Sequence, residues 1–157
     1  MYKLILLAAI VMAPKVNAQI SETPGSVAFE QAHPDTSFFY AKDGRISRVY
    51  GKAFSEGTSP SDTAQAFINK WAGIWNCDAN DLIPVGPWGA GQHMQPMMYD
   101  TETGKYKFTG VGYMQTVDGI PVYDSRLTVL IRNESNYPAV HVTADLHPLA
   151  DFKVPSE

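Results

Sequence analysis

Cysteine is almost missing from this chain of 157 residues: Cys77 stands alone. A lone thiol excludes an internal disulfide framework. Its neighbours Trp75, Asn76 and Asp78 offer no basic group to stabilise a thiolate. It therefore reads as a small buried hydrophobe near a helix end, with an intermolecular disulfide or a reactive thiol as the lesser alternative. Positive charge is scarce too. Lys and Arg number 12 against 16 Asp and Glu, and like charges form no run. Nucleic acids and anionic membranes attract basic surfaces, so neither is expected as a partner.

Catalytic signatures are absent as well. The histidines are His33, His93, His141 and His147, and none stands in the His-Glu-x-x-His spacing that holds zinc and a general base on one helix face. There is no Gly-x-Ser-x-Gly elbow and no Gly-x-x-x-x-Gly-Lys phosphate loop. Residues 86–91 are glycine-rich around Trp88 but lack a strand-then-helix setting, so they read as a loop. Asp78 and Asp81 read as turn and cap residues. One metal alternative exists. His141, Asp145 and His147 would share a face if residues 141–147 formed one strand, but Pro148 and the missing fourth ligand weaken it. No catalytic, cofactor-binding or metal-binding residue is expected, and the chain does not read as an enzyme.

What is present begins with a leader. Lys3 precedes an apolar run over residues 4–13, and Val16 and Ala18 occupy the −3 and −1 positions of a cleavage site. This is the pattern of a secretory signal peptide over residues 1–18. The run is too short for a bilayer, which needs about 20 apolar residues. Cleavage would leave Gln19 first and remove Lys3 and Lys15. The remaining 10 basic and 16 acidic residues carry a formal charge of −6. No later segment is long and apolar enough to anchor the mature chain, so a secreted or periplasmic location is expected. Residues 19–36 hold Pro24, Gly25 and Pro34 and show no period, which suggests a loosely ordered leader segment.

The following residues read as α+β, with one amphipathic helix packed on an antiparallel sheet. Asp43 and Gly44 separate two short aromatic and β-branched runs, a hairpin signal. Ser59, Pro60 and Asp62 form a helix start, and Ala64, Phe67, Ile68 and Trp71 fall on one stripe. Gly73 marks the expected end. Residues 94–99 and 105–117 read as a hairpin around residues 100–104. Tyr106 and Phe108 take one parity while Val111, Tyr113 and Val117 take the other, which suggests a bulge at Gly110 or Gly112. After a turn at Asp118 and Gly119, a strand is expected from Ile120 to about Arg132. Leu130, opposite in parity to Leu127, Val129 and Ile131, suggests that both faces are covered. A last strand covers residues 139–143. Asn133, Glu134 and Ser135 form a glycosylation sequon, relevant in a eukaryotic source.

A strand containing Gln115, then Asp118, then Gly119, Ile120, Pro121, Val122 and Tyr123, then the apolar strand Leu127, Thr128, Val129, Leu130 and Ile131, resembles the fungalysin/thermolysin propeptide (FTP) motif. The resemblance spans roughly residues 37–149, with residues 150–157 as a tail. Family members often carry glycines where Asp124 and Ser125 stand here. They usually continue into a second propeptide module and a zinc peptidase. The resemblance implies a non-catalytic propeptide-like domain that assists folding of a thermolysin- or fungalysin-type metallopeptidase and inhibits it before activation. Such a domain would be a stand-alone protein or the front of a truncated precursor. The alternative is a secreted binding or structural module that keeps the fold without a peptidase partner. Gly119, Ile120, Pro121, Val122 and Tyr123 are expected to be structural, with partner contact in the peptidase reading, since none of them can do acid–base or nucleophilic chemistry.

Overall fold

A computed structural model describes residues 22–86, 93–149 and 152. The expected signal peptide, most of the Trp88 loop and most of the tail lie outside the described residues. The chain runs α1 (Pro24–Ala32), β1 (Ser37–Tyr40), β2 (Ile46–Tyr50) and α2 (Pro60–Trp71). Two 3-10 turns (Ala72–Trp75 and Ala79–Asp81) follow, then β3 (Leu82–Pro84), β4 (Met94–Asp100), β5 (Lys105–Val117), β6 (Ile120–Pro121), β7 (Arg126–Arg132) and β8 (Ala139–Asp145). The strands form one antiparallel sheet in the order β1-β2-β8-β7-β5-β3, with β4 and β6 also paired to β5.

The helix stripe lies where its spacing predicts. Ser59 caps α2 by accepting from the Asp62 N–H at 3.1 Å, and Pro60 opens the first turn. Asp62 does not close the box; its carboxylate takes the Thr58 hydroxyl instead. Ala64, Phe67, Ile68 and Trp71 are all buried. They face alternate residues of the sheet: Val49, Val111, Tyr113, Leu127, Val129, Ile131 and Val142.

A single helix was too few. The described part of that leader segment, residues 22–36, is not loose, because α1 occupies most of it and belongs to the core. Thr23 caps it by accepting from the Ser26 N–H at 3.0 Å, and Pro24 starts it. Proline tolerates the first helical turn, where an N–H has no partner anyway. Only Ser26 and Phe29 of α1 are buried, so no apolar period betrays it. Phe29 is wholly buried and meets Phe38, Phe54, Phe67, Trp71 and His33 at ring-centroid distances of 4.7–6.2 Å. The helix docks by a glycine contact. A β-carbon on Gly25 would lie 2.2 Å from the Gly73 carbonyl carbon. The Thr23 hydroxyl reaches the Gly73 and Ile74 carbonyls, both at 3.0 Å. Gly73 therefore serves close approach; Asn76, at φ 53, ends the 3-10 turn.

Three strand expectations also change. β5 carries no bulge: its register with β4 and β7 is continuous through Gly110 and Gly112. The parity change means only that Tyr106 and Phe108 lie on the outer face. There the glycines admit Met97 Sδ, 3.3 Å from a built Gly110 β-carbon, and the Val85 carbonyl oxygen, 2.7 Å from that of Gly112. The strand from Ile120 to Arg132 is broken, because Asp124 turns left-handed at φ 55 and Ser125 follows it in a turn. β7 is covered on one side. Arg126, Thr128 and Leu130 are only half-buried on the face opposite Leu127, Val129 and Ile131.

Two consequences are measurable. Phe29→Ala should lower stability by about 3–5 kcal/mol, the usual cost of emptying a large buried aromatic site; the urea midpoint reads it, and an unchanged value would return α1 to a loose leader. The second concerns His33, whose ring is packed on Phe29, Phe54 and Trp71. Its Nε2 has no partner among the described residues. Burial, then the Lys70 ammonium, hold its pKa below the ordinary 6.5. The unfolded chain thus binds a proton before the folded one does. Stability is complete above that value and falls as pH drops below it, down to the folded pKa. Urea midpoints at pH 7.5 and 5.5 should differ in that direction, and His33→Phe should shrink the difference.

Candidate functional site

Residues 117–125 leave the end of β5 and return to β7 as a small projection. Asp118 and Gly119 both take positive φ, 51 and 79, as a two-residue type I′ hairpin turn requires. A β-carbon on Gly119 would meet nothing within 4 Å, so only its backbone angle favours glycine. Beyond the turn, Ile120 and Pro121 pair with Val117 and Thr116. The Val122 N–H then bonds the Gln115 carbonyl at 2.8 Å. Ile120 is 54% exposed and Tyr123 92% exposed.

The projection is fixed from beneath by two buried polar side chains. The Ser125 hydroxyl donates to the Val122 carbonyl at 2.9 Å and accepts from the Gln115 N–H at 3.0 Å. The Gln115 amide reaches the other way: Nε2 donates to the His147 carbonyl and Oε1 accepts from the His147 N–H, both at 3.0 Å. A side-chain amide here pairs with a backbone peptide as a further strand would, and holds the segment after β8 against β5. Thr116 adds a hydroxyl bond to the Asp81 carbonyl at 3.2 Å.

Beside the projection lies a cleft of about 1450 Å³ at the end of the sheet, lined among others by Arg45, Ile46, Trp75, Val122, Arg126 and His147. Trp75 closes its floor by donating Nε1–H to the Ile46 carbonyl at 2.9 Å. Arg45 spans one wall, bonded to Asp43 at 2.6 Å and to the Leu146 carbonyl. That bond, with the Arg45 N–H, holds the Asp43 carboxyl below its usual range. The cleft mixes apolar surface with arginine, which suits binding. The Ser125 hydroxyl beside it is buried and already bonded, so it is not a poised nucleophile.

The remaining candidates lie apart. Cys77 is half-buried against the core, its Sγ 3.4 Å from the Asp78 carbonyl. Burial, then Asp81 and Asp78, push the thiol up to about 11, away from thiolate chemistry. His141 and Asp145 share the outer face of β8, while His147 lies beyond the strand with its backbone tied to Gln115. Among the described residues no three His, Cys, Asp or Glu gather as a metal site, so the alternative of His141, Asp145 and His147 is not assembled. The sequon asparagine has structural work: Asn133 Nδ2 donates to the Tyr106 carbonyl and Oδ1 accepts from the Thr109 hydroxyl, both at 2.9 Å. No described helix is long and apolar enough to cross a membrane.

Sequence reasoning placed a turn at Asp118 and Gly119 and a strand from Ile120, but missed the Gln115–Ser125 pair. One signal was available. Gln115 has the parity of Val111 and Tyr113, and a polar residue in a core register needs partners for both ends of its amide. Compared with protein families, curated proteins and solved structures, the chain matches none.

The lock is testable. Gln115→Leu keeps the volume but leaves the buried Ser125 hydroxyl network intact and the His147 N–H and carbonyl unpaired. It should cost about 1–3 kcal/mol, the range for orphaned polar groups. Faster amide exchange at His147 than at Val122 would place the loss on the segment after β8.

Proposed function

We propose that this chain is a secreted, non-catalytic propeptide-like domain that binds a thermolysin- or fungalysin-type zinc metallopeptidase, assists its folding and restrains it before activation. One observation carries the reading. The residues of the FTP-like motif, 119–123, stand as a pre-shaped apolar projection, locked from below by Gln115 and Ser125 and open to solvent at Ile120 and Tyr123. Large exposed apolar side chains on a rigid support serve as anchors in protein recognition at little ordering cost. A domain that binds the folded enzyme better than the unfolded chain shifts that equilibrium by mass action.

A second reading, a binding module without a peptidase partner, draws on a different surface. Met97, Met98 and Tyr99 of β4 are exposed on the far side of β5 from β6.

Refolding separates the two. A denatured thermolysin-type peptidase from the same genome should regain activity in higher yield with the domain present, and the folded enzyme should be inhibited by it. Tyr123→Ala should weaken both effects while leaving the urea midpoint unchanged, because the ring is almost wholly exposed. Gly119→Val should lower stability and binding together, because it forces a β-branched residue to positive φ. Unchanged yield and no heat of binding at saturating domain would remove the peptidase reading.

A further inference from the structure

One face of the sheet carries the core, and the strand registers show what stands on the other. Phe38, Val49, Val129 and Val142 turn toward the core. Their neighbours along each strand therefore point away from it. Phe39 lies beside Arg48, Arg48 beside Thr143, and Thr143 beside Thr128. In the adjoining row Tyr50 lies beside His141, and His141 beside Leu130. The Phe39 and Tyr50 rings stack with centroids 5.4 Å apart and remain 47% and 44% exposed. Arg48 is exposed as well, while His141 and Leu130 are half-buried.

The charge of this face is opposite to that of the chain. β1, β2, β7 and β8 contain no Lys and no Glu; their charged residues are Arg48, Arg126 and Arg132 against a single acid, Asp145. All four stand on the outward parity. The whole chain, by contrast, has 12 basic and 16 acidic residues. Arg132 lies 3.7 Å from Glu134. Arg48 and Arg126 have no ion-pair partner among the described residues, although Asp145 stands opposite Arg126 in register. The cleft at the sheet end is balanced, because Glu22 and Asp124 join Asp145 against Arg45, Arg48 and Arg126 along it. The excess of positive charge therefore lies on the sheet. Aromatic rings with Arg, and without Lys or Glu, are what protein interfaces select at their centres.

We propose that the outer face of β1, β2, β8 and β7 is a docking surface for an acidic segment of another protein. Phe39 and Tyr50 form its apolar shelf, and Arg48 and Arg126 make its charge contacts. A stacked aromatic pair offers contact area at low ordering cost, and unpaired guanidinium groups select the sign of the partner. A second copy fits less well. Pairing about a twofold axis sets two faces of the same charge against each other, and pairing with a different surface of the copy builds rings or filaments. The inference does not rest on the peptidase reading. Its test involves no peptidase, so the two can fail separately.

A short capped peptide of alternating glutamate and leucine is the probe, titrated into the intact protein while its amide resonances are followed. Shifts should gather at Arg48, Tyr50, His141 and Thr143 and spare Tyr99 and Tyr106 on the β4–β5 hairpin. A lysine–leucine peptide should bind at least about tenfold more weakly, since like charge at an interface is penalised. Raising the salt from about 0.05 M to about 0.5 M should weaken the glutamate peptide several-fold, because exposed charges are screened. Arg48→Glu alters an exposed side chain, so the urea midpoint should hold while affinity for the glutamate peptide falls about tenfold and affinity for the lysine peptide rises. The proposal is overturned if the glutamate peptide does not bind, if it shifts amides away from this face, or if salt, the lysine peptide or Arg48→Glu makes no difference. It is overturned too if dilution of the protein alone moves the same amides, which makes a second copy the occupant.

Discussion

A strand of thirteen residues has two hydrogen-bonding edges, and β5 uses each of them twice. On one side it carries β4 along its first half and β3 along its second. On the other it carries β7, then β6 past the point where β7 ends. Remove the continuity of β5 and four strands lose their common partner. That continuity explains the two glycines within it. They do not bend the strand; they thin its outer face so that the Met97 side chain and the Val85 carbonyl can cross it.

The legible parts of the sequence were those where one local rule acts alone. The stripe of Ala64, Phe67, Ile68 and Trp71, the Ser59 cap, the Asp43–Gly44 and Asp118–Gly119 turns and the β-rich second half all follow from short-range pattern. What escaped depends on contacts distant in sequence. The only local mark of α1 is its Thr23–Pro24 start; no apolar period follows it, because its nine residues bury one large side chain, and Gly25 there looks like a breaker. Only Gly73, far along the chain, explains that glycine. The Gln115 amide likewise finds its partner in the backbone of His147, which no spacing rule connects to it. The candidate site was legible as a turn with apolar flanks and illegible as a supported projection.

Two sets of buried polar groups contrast. Gln115 and Ser125 are fully engaged, and they define geometry: their bonds tie the end of β5 to the start of β7 and to the chain after β8. His33 Nε2 and Trp71 Nε1 lie without partners among the described residues, inside the aromatic cluster. Those rings contribute area and not hydrogen bonds, so the cluster relies on close packing around Phe29. A fully satisfied polar network specifies one arrangement, while the aromatic cluster joins α1 to α2 by burial.

The glycine contact between α1 and the 3-10 turn has a consequence in time as well as in space. The Thr23 hydroxyl finds its acceptor fifty residues later, and Arg45 finds the Leu146 carbonyl across 101 residues. Contacts of such separation close only after the intervening chain exists, and loop closure makes them late. α1 therefore cannot make these contacts until the chain through Ile74 has been made. Until then Thr23 and Gly25 stay free of the domain, and α1 joins it only when the later residues have arrived.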